Sequence, residues 1–181
     1  RVLFRSLKNV SLEQFEPIII SGNTRKLRPT LFDLLAHRAL DYFKNDERDI
    51  TRPSYAFEIE QDAALYDAKE FSQFNFVTKD TSNLHFKALQ IFQRLIAFHL
   101  SDENKAALID CDMERIQFVN NYGTMTQKNE LYKNCLEHLY KKYDNEEEAM
   151  MAGYLLALWY QSKGNNYKSS KNFEDKMSYQ K

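Results

Sequence analysis

The chain has 181 residues, 43% of them hydrophobic and 14% aromatic, and its 25 basic and 26 acidic residues leave a net charge of −1. That apolar content suffices for one buried core, and the balanced charge argues against an electrostatic surface for nucleic acid or an anionic membrane. Four glycines and three prolines are few for a β-sandwich or a phosphate-binding α/β enzyme. The composition therefore predicts an all-α protein.

The first 80 residues are predicted to be the less regular part of a single helical domain that spans residues 1–181. Leu12 and Phe15 predict a short helix before turn residues 21–24. Thr30 and Asp33 predict the start of a helix over residues 30–45 with a near capping box. The apolar stripe of this helix is expected to comprise Leu31, Leu34, Leu35, Ala39, Tyr42 and Phe43. Residues 46–79 predict an irregular segment, with a weak helical turn over 63–71, that wraps over the helices.

Residues 82–181 predict a series of antiparallel helical hairpins, because their periodic segments are joined by short loops. Ser82 and Thr126 are the expected N-caps, and Gly123 is expected to break the chain between two helices. The predicted helices cover 84–101, 102–121, 127–143 and 146–163, and residues 172–181 are expected to begin a partner helix for the last of these. Residues Leu131, Cys135, Leu139 and Tyr140 of the third helix are expected to face inward. The chain begins at Arg1 and ends within this predicted helix, so we expect it to be a piece of a longer protein.

The last hairpin resembles a tetratricopeptide repeat. Leu156, Ala157, Tyr160 and Gly164 stand at the offsets that this repeat uses in its first helix and turn. The resemblance implies stacked hairpins in a right-handed superhelix, although Gly153 stands where the repeat has a bulky aromatic residue. An irregular helical array is the alternative. Leu156, Trp159 and Tyr160 are expected to anchor this hairpin in the core. The aromatic residues Tyr154, Trp159 and Tyr167 are the candidates for a partner-facing surface.

The sequence offers little for catalysis. Cys135-Leu136-Glu137-His138 resembles the Cys-Leu-Glu-Gln thioester motif of bacterial alpha-2-macroglobulins, but the imidazole of His138 has no acyl carbon for a thiol to attack. Cys111 and Cys135 are expected to be free, largely buried thiols. The four histidines form no metal-binding motif, and no nucleophile–base motif is present. We therefore expect no enzymatic activity, no metal and no cofactor.

Two further segments resemble a known family of large bacterial proteins. Residues 27–43, and residues 107–116 followed by 129–132, resemble the N-terminal helical region of very large bacterial alpha-2-macroglobulin-like proteins. Membership of that family implies that the chain is an accessory scaffold in a protease inhibitor of the periplasm or cell envelope. Its partners would be other domains of the parent chain. No functional residue of the family can be assigned to this sequence. The alternative is a stand-alone tetratricopeptide-like adaptor that binds a peptide or protein in the cytoplasm. Neither implies a membrane-spanning segment, and the longest uncharged apolar run, 149–160, is shorter than the ~20 residues required.

Overall fold

The computed structural model describes residues 7–19, 22, 25–45 and 53–165, and this part of the chain contains no β-strand. Two isolated bridges pair Ser11 with Thr30 and Ile59 with Gly123. The all-α prediction is therefore confirmed. The α-helices of this part are α1 (Leu31–Phe43), α2 (Ala68–Gln73), α3 (Leu84–His99), α4 (Ala106–Tyr122), α5 (Lys128–Lys142) and α6 (Met150–Asn165). Short 3₁₀ helices cover Leu12–Phe15, Arg25–Leu27, Asp62–Leu65 and Glu147–Ala149.

Helix α1 begins with the predicted capping box. The Thr30 hydroxyl accepts a hydrogen bond from the Asp33 amide at 3.3 Å, and an Asp33 carboxylate oxygen accepts one from the Thr30 amide at 2.8 Å. Both bonds satisfy backbone donors that have no partner within the helix. The acidic residue also lies at the positive end of the helix dipole, which favours it there.

The predicted apolar stripe of α1 is correct only in part, since Phe43 packs against the core but no residue of the stripe is fully buried. Leu35 and Tyr42 are exposed, whereas the buried side chains are Phe32, Asp33, Ala36, His37 and Leu40. The reason is electrostatic, because Asp33 pairs with His99 and His37 pairs with Glu114. These polar side chains can be buried because each lies against a polar side chain of another helix.

The predicted N-caps of two later helices are also wrong. Asn83 caps α3 by accepting a hydrogen bond from the Phe86 amide at 3.1 Å, while the Ser82 hydroxyl donates to Asp80 at 3.0 Å. Helix α5 follows Gln127 without a side-chain cap, so Thr126 does not serve as one. Helix α4 begins at Ala106 rather than 102, after a loop in which the Lys105 ammonium donates to the Leu100 carbonyl at 3.1 Å.

Helix α4 lies at the centre of the fold and is packed against α3 and α5. Its buried residues occupy most of its circumference, and its neighbours include the 3₁₀ helices Arg25–Leu27 and Glu147–Ala149. Helix α2 packs on α3, and Asp62–Leu65 packs on α5. The irregular segment therefore does wrap over the helices where it is described. Among the described helices, none has both the length and the apolar character needed to cross a membrane.

Gly123 ends α4 at a close backbone contact. A Cβ atom at this position would lie 2.6 Å from the Val119 carbonyl oxygen and 2.8 Å from the sulfur of Met125. The neighbouring Thr124 amide donates to the Ile59 carbonyl at 3.0 Å, which holds the turn against the wrapping segment. The turn therefore has little freedom to move away from an added methyl group.

We expect Gly123→Ala to lower the free energy of unfolding by about 1–3 kcal/mol, because the backbone must shift to admit the methyl group. Urea denaturation followed by circular dichroism measures this. The control is Gly164→Ala within α6, where replacing a helical glycine is expected to stabilise the protein by up to about 1 kcal/mol. A Gly123→Ala protein as stable as the wild type would show that the turn relaxes freely.

Candidate functional site

Helix α6 joins the core along one edge. It packs against α5 to form the predicted hairpin, with Ala152 fully buried and Leu155 and Trp159 partly buried against the core. The Tyr160 hydroxyl donates to a Glu137 carboxylate oxygen at 2.9 Å. These contacts fix the inner side of α6 on α5.

The expectation that Leu156, Trp159 and Tyr160 are core anchors needs correction, because all three are only half-buried. They lie at the border between the core and the open side of α6. Leu156→Ala should therefore lower the free energy of unfolding by less than the ~2–5 kcal/mol that is typical of a fully buried leucine. The physical reason is that the described chain provides no layer beyond α6 to cover them.

The outer side of α6 is apolar and exposed. Met150, Met151, Tyr154 and Leu158 are 45%, 51%, 59% and 40% exposed, and we call these four residues the α6 ridge. They lie on one side of the helix, because Met150, Tyr154 and Leu158 follow one another at intervals of four residues and Met151 precedes Tyr154 by three. Apolar patches of this kind on a protein surface mark interaction sites more often than chance exposure.

A groove of about 980 Å³ runs beside the ridge. Its floor contains the small residues Gly153, Ala157 and Gly164, and Tyr140 of α5 and Tyr154 lie at its edges; we call it the α6 groove. A Cβ atom on Gly153 would lie 2.9 Å from the Tyr140 ring, so the glycine allows this ring to lie close to α6. Tyr140 was expected to face inward, but it is exposed and forms a wall of the groove.

Two of the three predicted partner-facing aromatic residues lie in the described part of the chain, on different sides of α6. Tyr154 lies on the ridge, as expected of such a residue. Trp159 lies on the inner side, where the ammonium groups of Lys133 and Lys163 lie 5.7 Å and 5.1 Å from the centre of its ring. Tyr167 lies outside the described residues, and so does the predicted helix over 172–181.

Sequence reasoning missed the ridge residues Met150, Met151 and Leu158. The available signal was the absence of a polar face in α6, since a helix that is apolar on all sides needs neighbours on all sides. The tetratricopeptide-like spacing instead favoured Leu156, Trp159 and Tyr160.

A second cavity, of about 290 Å³, is lined by Cys135 and His138, the first and last residues of the thioester-like motif. The Cys135 thiol donates to the Leu65 carbonyl at 2.6 Å, and burial raises its pKa to about 11. His138 is exposed and lies 3.4 Å from Asp67, which also contacts the Lys142 ammonium at 2.9 Å. The thiol is therefore protonated at neutral pH, and a protonated thiol is a weak nucleophile.

The two cysteines are free thiols, and burial raises the pKa of Cys111 well above its usual value. Within the described residues, no group of three or more histidine, cysteine, aspartate or glutamate side chains is arranged to hold a metal ion.

We expect iodoacetamide at about pH 8 to label neither cysteine in the folded protein and both after denaturation. Mass spectrometry of the intact protein counts the labels, with glutathione as the reactive reference. Labelling of folded Cys135 at the glutathione rate would contradict the observed burial.

Two histidines inside the fold are held by carboxylates. The ring nitrogens of His99 lie 3.0 Å from Asp33 and 2.6 Å from Asp102. Burial by itself lowers the pKa of His99, but its hydrogen bonds to the two carboxylates outweigh burial and raise that pKa above 6.5. These contacts join the start of α1 to the end of α3.

Glu114 forms a similar junction between α1 and α4. Its carboxylate lies 3.0 Å from His37 and also pairs with the Lys44 ammonium. Burial opposes its ionisation, but its close contacts with His37 and the Lys44 ammonium lower the pKa of Glu114 to about 2. The carboxylate is thus ionised at any physiological pH and holds the two helices together.

Comparisons of the chain with protein-family models, with curated proteins and with solved structures found no match.

Proposed function

We propose that the chain is a non-catalytic helical scaffold that binds a protein partner through the α6 ridge. The observation that carries this proposal is the exposure of four large apolar side chains on one side of a single helix. Tyrosine and methionine are both enriched in protein interfaces, because they bury large area and adapt to the opposing surface. The ridge therefore has the composition of a binding surface.

The polar groups of the interior support the same proposal. Asp33, His99 and Glu114 are engaged in ion pairs that connect one helix to another. Cys135 is protonated and bonded to a backbone carbonyl. The side chains that carry charge in the core are thus used to hold the helices in place, which suits a scaffold.

Two settings for such a scaffold follow from the sequence. In the first, the chain is the N-terminal accessory region of a bacterial alpha-2-macroglobulin-like protease inhibitor in the periplasm or cell envelope. This setting is supported only by the resemblance of residues 27–43 and 107–116. In the second, it is a tetratricopeptide-like cytoplasmic adaptor, and the presence of the α6 groove favours that architecture because a peptide or helix would fit there.

Photo-crosslinking in the cells of origin tests the proposal. A benzophenone amino acid is placed at Leu158 on the ridge and, as the matched control, at Val77, which is 73% exposed and remote in the sequence. We expect a single defined adduct from position 158 and none from position 77. An adduct with a downstream domain of the same polypeptide supports the inhibitor setting, and one with a separate protein supports the adaptor. The same diffuse background from both positions would refute the ridge as a binding surface.

A further inference from the structure

A cavity of about 410 Å³ lies between α1 and α3, and we call it the α1–α3 cavity. Of the described residues that line it, seven are apolar and three are polar. Small-molecule sites typically measure about 300–1,000 Å³, and they are apolar with a few polar groups that orient the ligand. The cavity therefore has the size and the composition of a site for a small, largely apolar ligand.

The wall formed by α1 belongs to the apolar stripe that the sequence predicts for this helix. Leu35, Ala39 and Phe43 follow one another at intervals of four residues, and all three line the cavity. Leu35 is 48% exposed, so about half of its surface is available to a ligand. Ala36 and Ala39 are small, and they leave open the space that larger side chains would fill. A ligand that covers this wall removes apolar surface from water, which favours binding.

The wall formed by α3 supplies positive charge. Lys87, Gln90 and Arg94 recur at intervals of three and four residues, so they lie on one side of α3, and all three line the cavity. Helix α3 contains no acidic residue, and none of the described residues that line the cavity is acidic. The charges around the cavity therefore favour an anion over a cation.

The Lys87 ammonium lies at one end of the cavity. Helices α1 and α3 run antiparallel, since the ring of Phe32 near the start of α1 lies 5.4 Å from that of Phe98 near the end of α3. At the opposite end, the Lys87 ammonium lies 5.7 Å from the centre of the Phe43 ring. A cation at the end of an apolar cavity suits a ligand with an anionic head and an apolar tail. The head then pairs with the ammonium while the tail covers the apolar wall.

We infer that the α1–α3 cavity binds a long-chain carboxylate, with its carboxylate beside Lys87 and its alkyl chain along Ala36 and Ala39. The Gln90 side chain, one helical turn from Lys87, adds an amide donor for the same carboxylate. The site lies on helices other than α6, so the inference goes beyond the proposed function, which concerns the ridge alone.

Isothermal titration calorimetry of the full 181-residue chain with laurate tests this inference, and we expect one laurate to bind per chain. Each methylene group that leaves water raises the affinity about fourfold, so laurate should bind at least about thirtyfold more tightly than octanoate. Dodecyltrimethylammonium has an equally long tail and the opposite charge, and it should bind at least about tenfold more weakly than laurate. Equal affinities for the two head groups, or no binding of laurate, would overturn the inference.

Variants at each wall locate the ligand. Ala39→Leu fills the space beside the alkyl chain and should weaken laurate binding at least about tenfold, whereas Ala97→Leu, at an exposed position of α3, should leave it unchanged. Lys87→Gln should weaken binding about tenfold, while Lys87→Arg should retain the affinity within about threefold. The control for charge is Lys141→Gln, at an exposed position of α5, which should have no effect.

Circular dichroism shows whether each variant is folded, and the Lys87 variants decide the question if Ala39→Leu does not fold. Laurate binding that is as tight in Lys87→Gln and Ala39→Leu as in the wild type would overturn the inference, and would assign the ligand to another apolar surface. None of these results changes the crosslink expected from Leu158, so the proposed function is judged separately.

Discussion

Arg115→Met should lower the free energy of unfolding by about 3–5 kcal/mol, because it removes one partner of a buried ion pair. Arg115 is 1% exposed, and its guanidinium donates to Asp112 at 2.8 Å and to the Tyr66 carbonyl at 3.1 Å. It also donates to the Ala64 carbonyl. The Arg115 side chain thus connects the irregular segment to the central helix α4. Its loss leaves a buried carboxylate and two carbonyls without the guanidinium donor.

Urea denaturation measures this effect, and the exposed Arg38→Met provides the control, with an expected change within about 0.5 kcal/mol. The double variant Arg115→Met with Asp112→Leu should recover part of the loss, because the unpaired buried charge is gone. It should not recover all of it, since the carbonyls of Ala64 and Tyr66 still lack a donor. An Arg115→Met protein within about 1 kcal/mol of the wild type would show that this ion pair does not hold the segment.

His99→Leu should lower the free energy of unfolding by about 3 kcal/mol at mildly acidic pH, because Asp33 then lies fully buried without its imidazolium partner. The effect depends on pH. The folded protein holds the pKa of His99 above the unfolded value of 6.5. Its stabilisation is therefore fully present below that value and is lost as the pH rises through the folded pKa.

The difference in stability between wild type and His99→Leu should accordingly be larger at about pH 5.5 than at about pH 8.5. Denaturation curves at the two pH values measure it. His138→Leu is the matched control, since His138 is exposed and pairs only at the surface. A difference that is the same at both pH values would mean that folding does not raise the pKa of His99.

The all-α class and the start of α1 could be predicted because both depend on neighbours in the sequence. Thr30 and Asp33 are three residues apart, and their capping box forms within one turn. The helices α3 and α4 could be predicted because apolar residues recur in their sequences at intervals of three and four. The error at the cap of α3 arose because Ser82 and Asn83 are adjacent and both could serve as the cap. At the start of α5 no side chain caps the helix.

The buried face of α1 could not be predicted in the same way. Asp33 and His99 are 66 residues apart, and neither spacing nor hydropathy reveals that each neutralises the cost of burying the other. The exposed apolar ridge of α6 was located only in part for a related reason. Tyr154 was identified as an aromatic residue, but Met151 and Leu158 become a surface only once α5 is known to cover the opposite side of α6.

Oxidative footprinting of Met151 tests most directly whether the ridge binds a partner. Met151 is 51% exposed and lies outside the groove, and Tyr55, at 59% exposed, is the reference within the same molecule. Hydroxyl radicals are applied to the purified chain and to the protein in its natural assembly, and the modified peptides are quantified by mass spectrometry. We predict that oxidation of Met151 relative to Tyr55 falls several-fold in the assembly. An unchanged ratio would contradict the proposal that the α6 ridge is a binding surface.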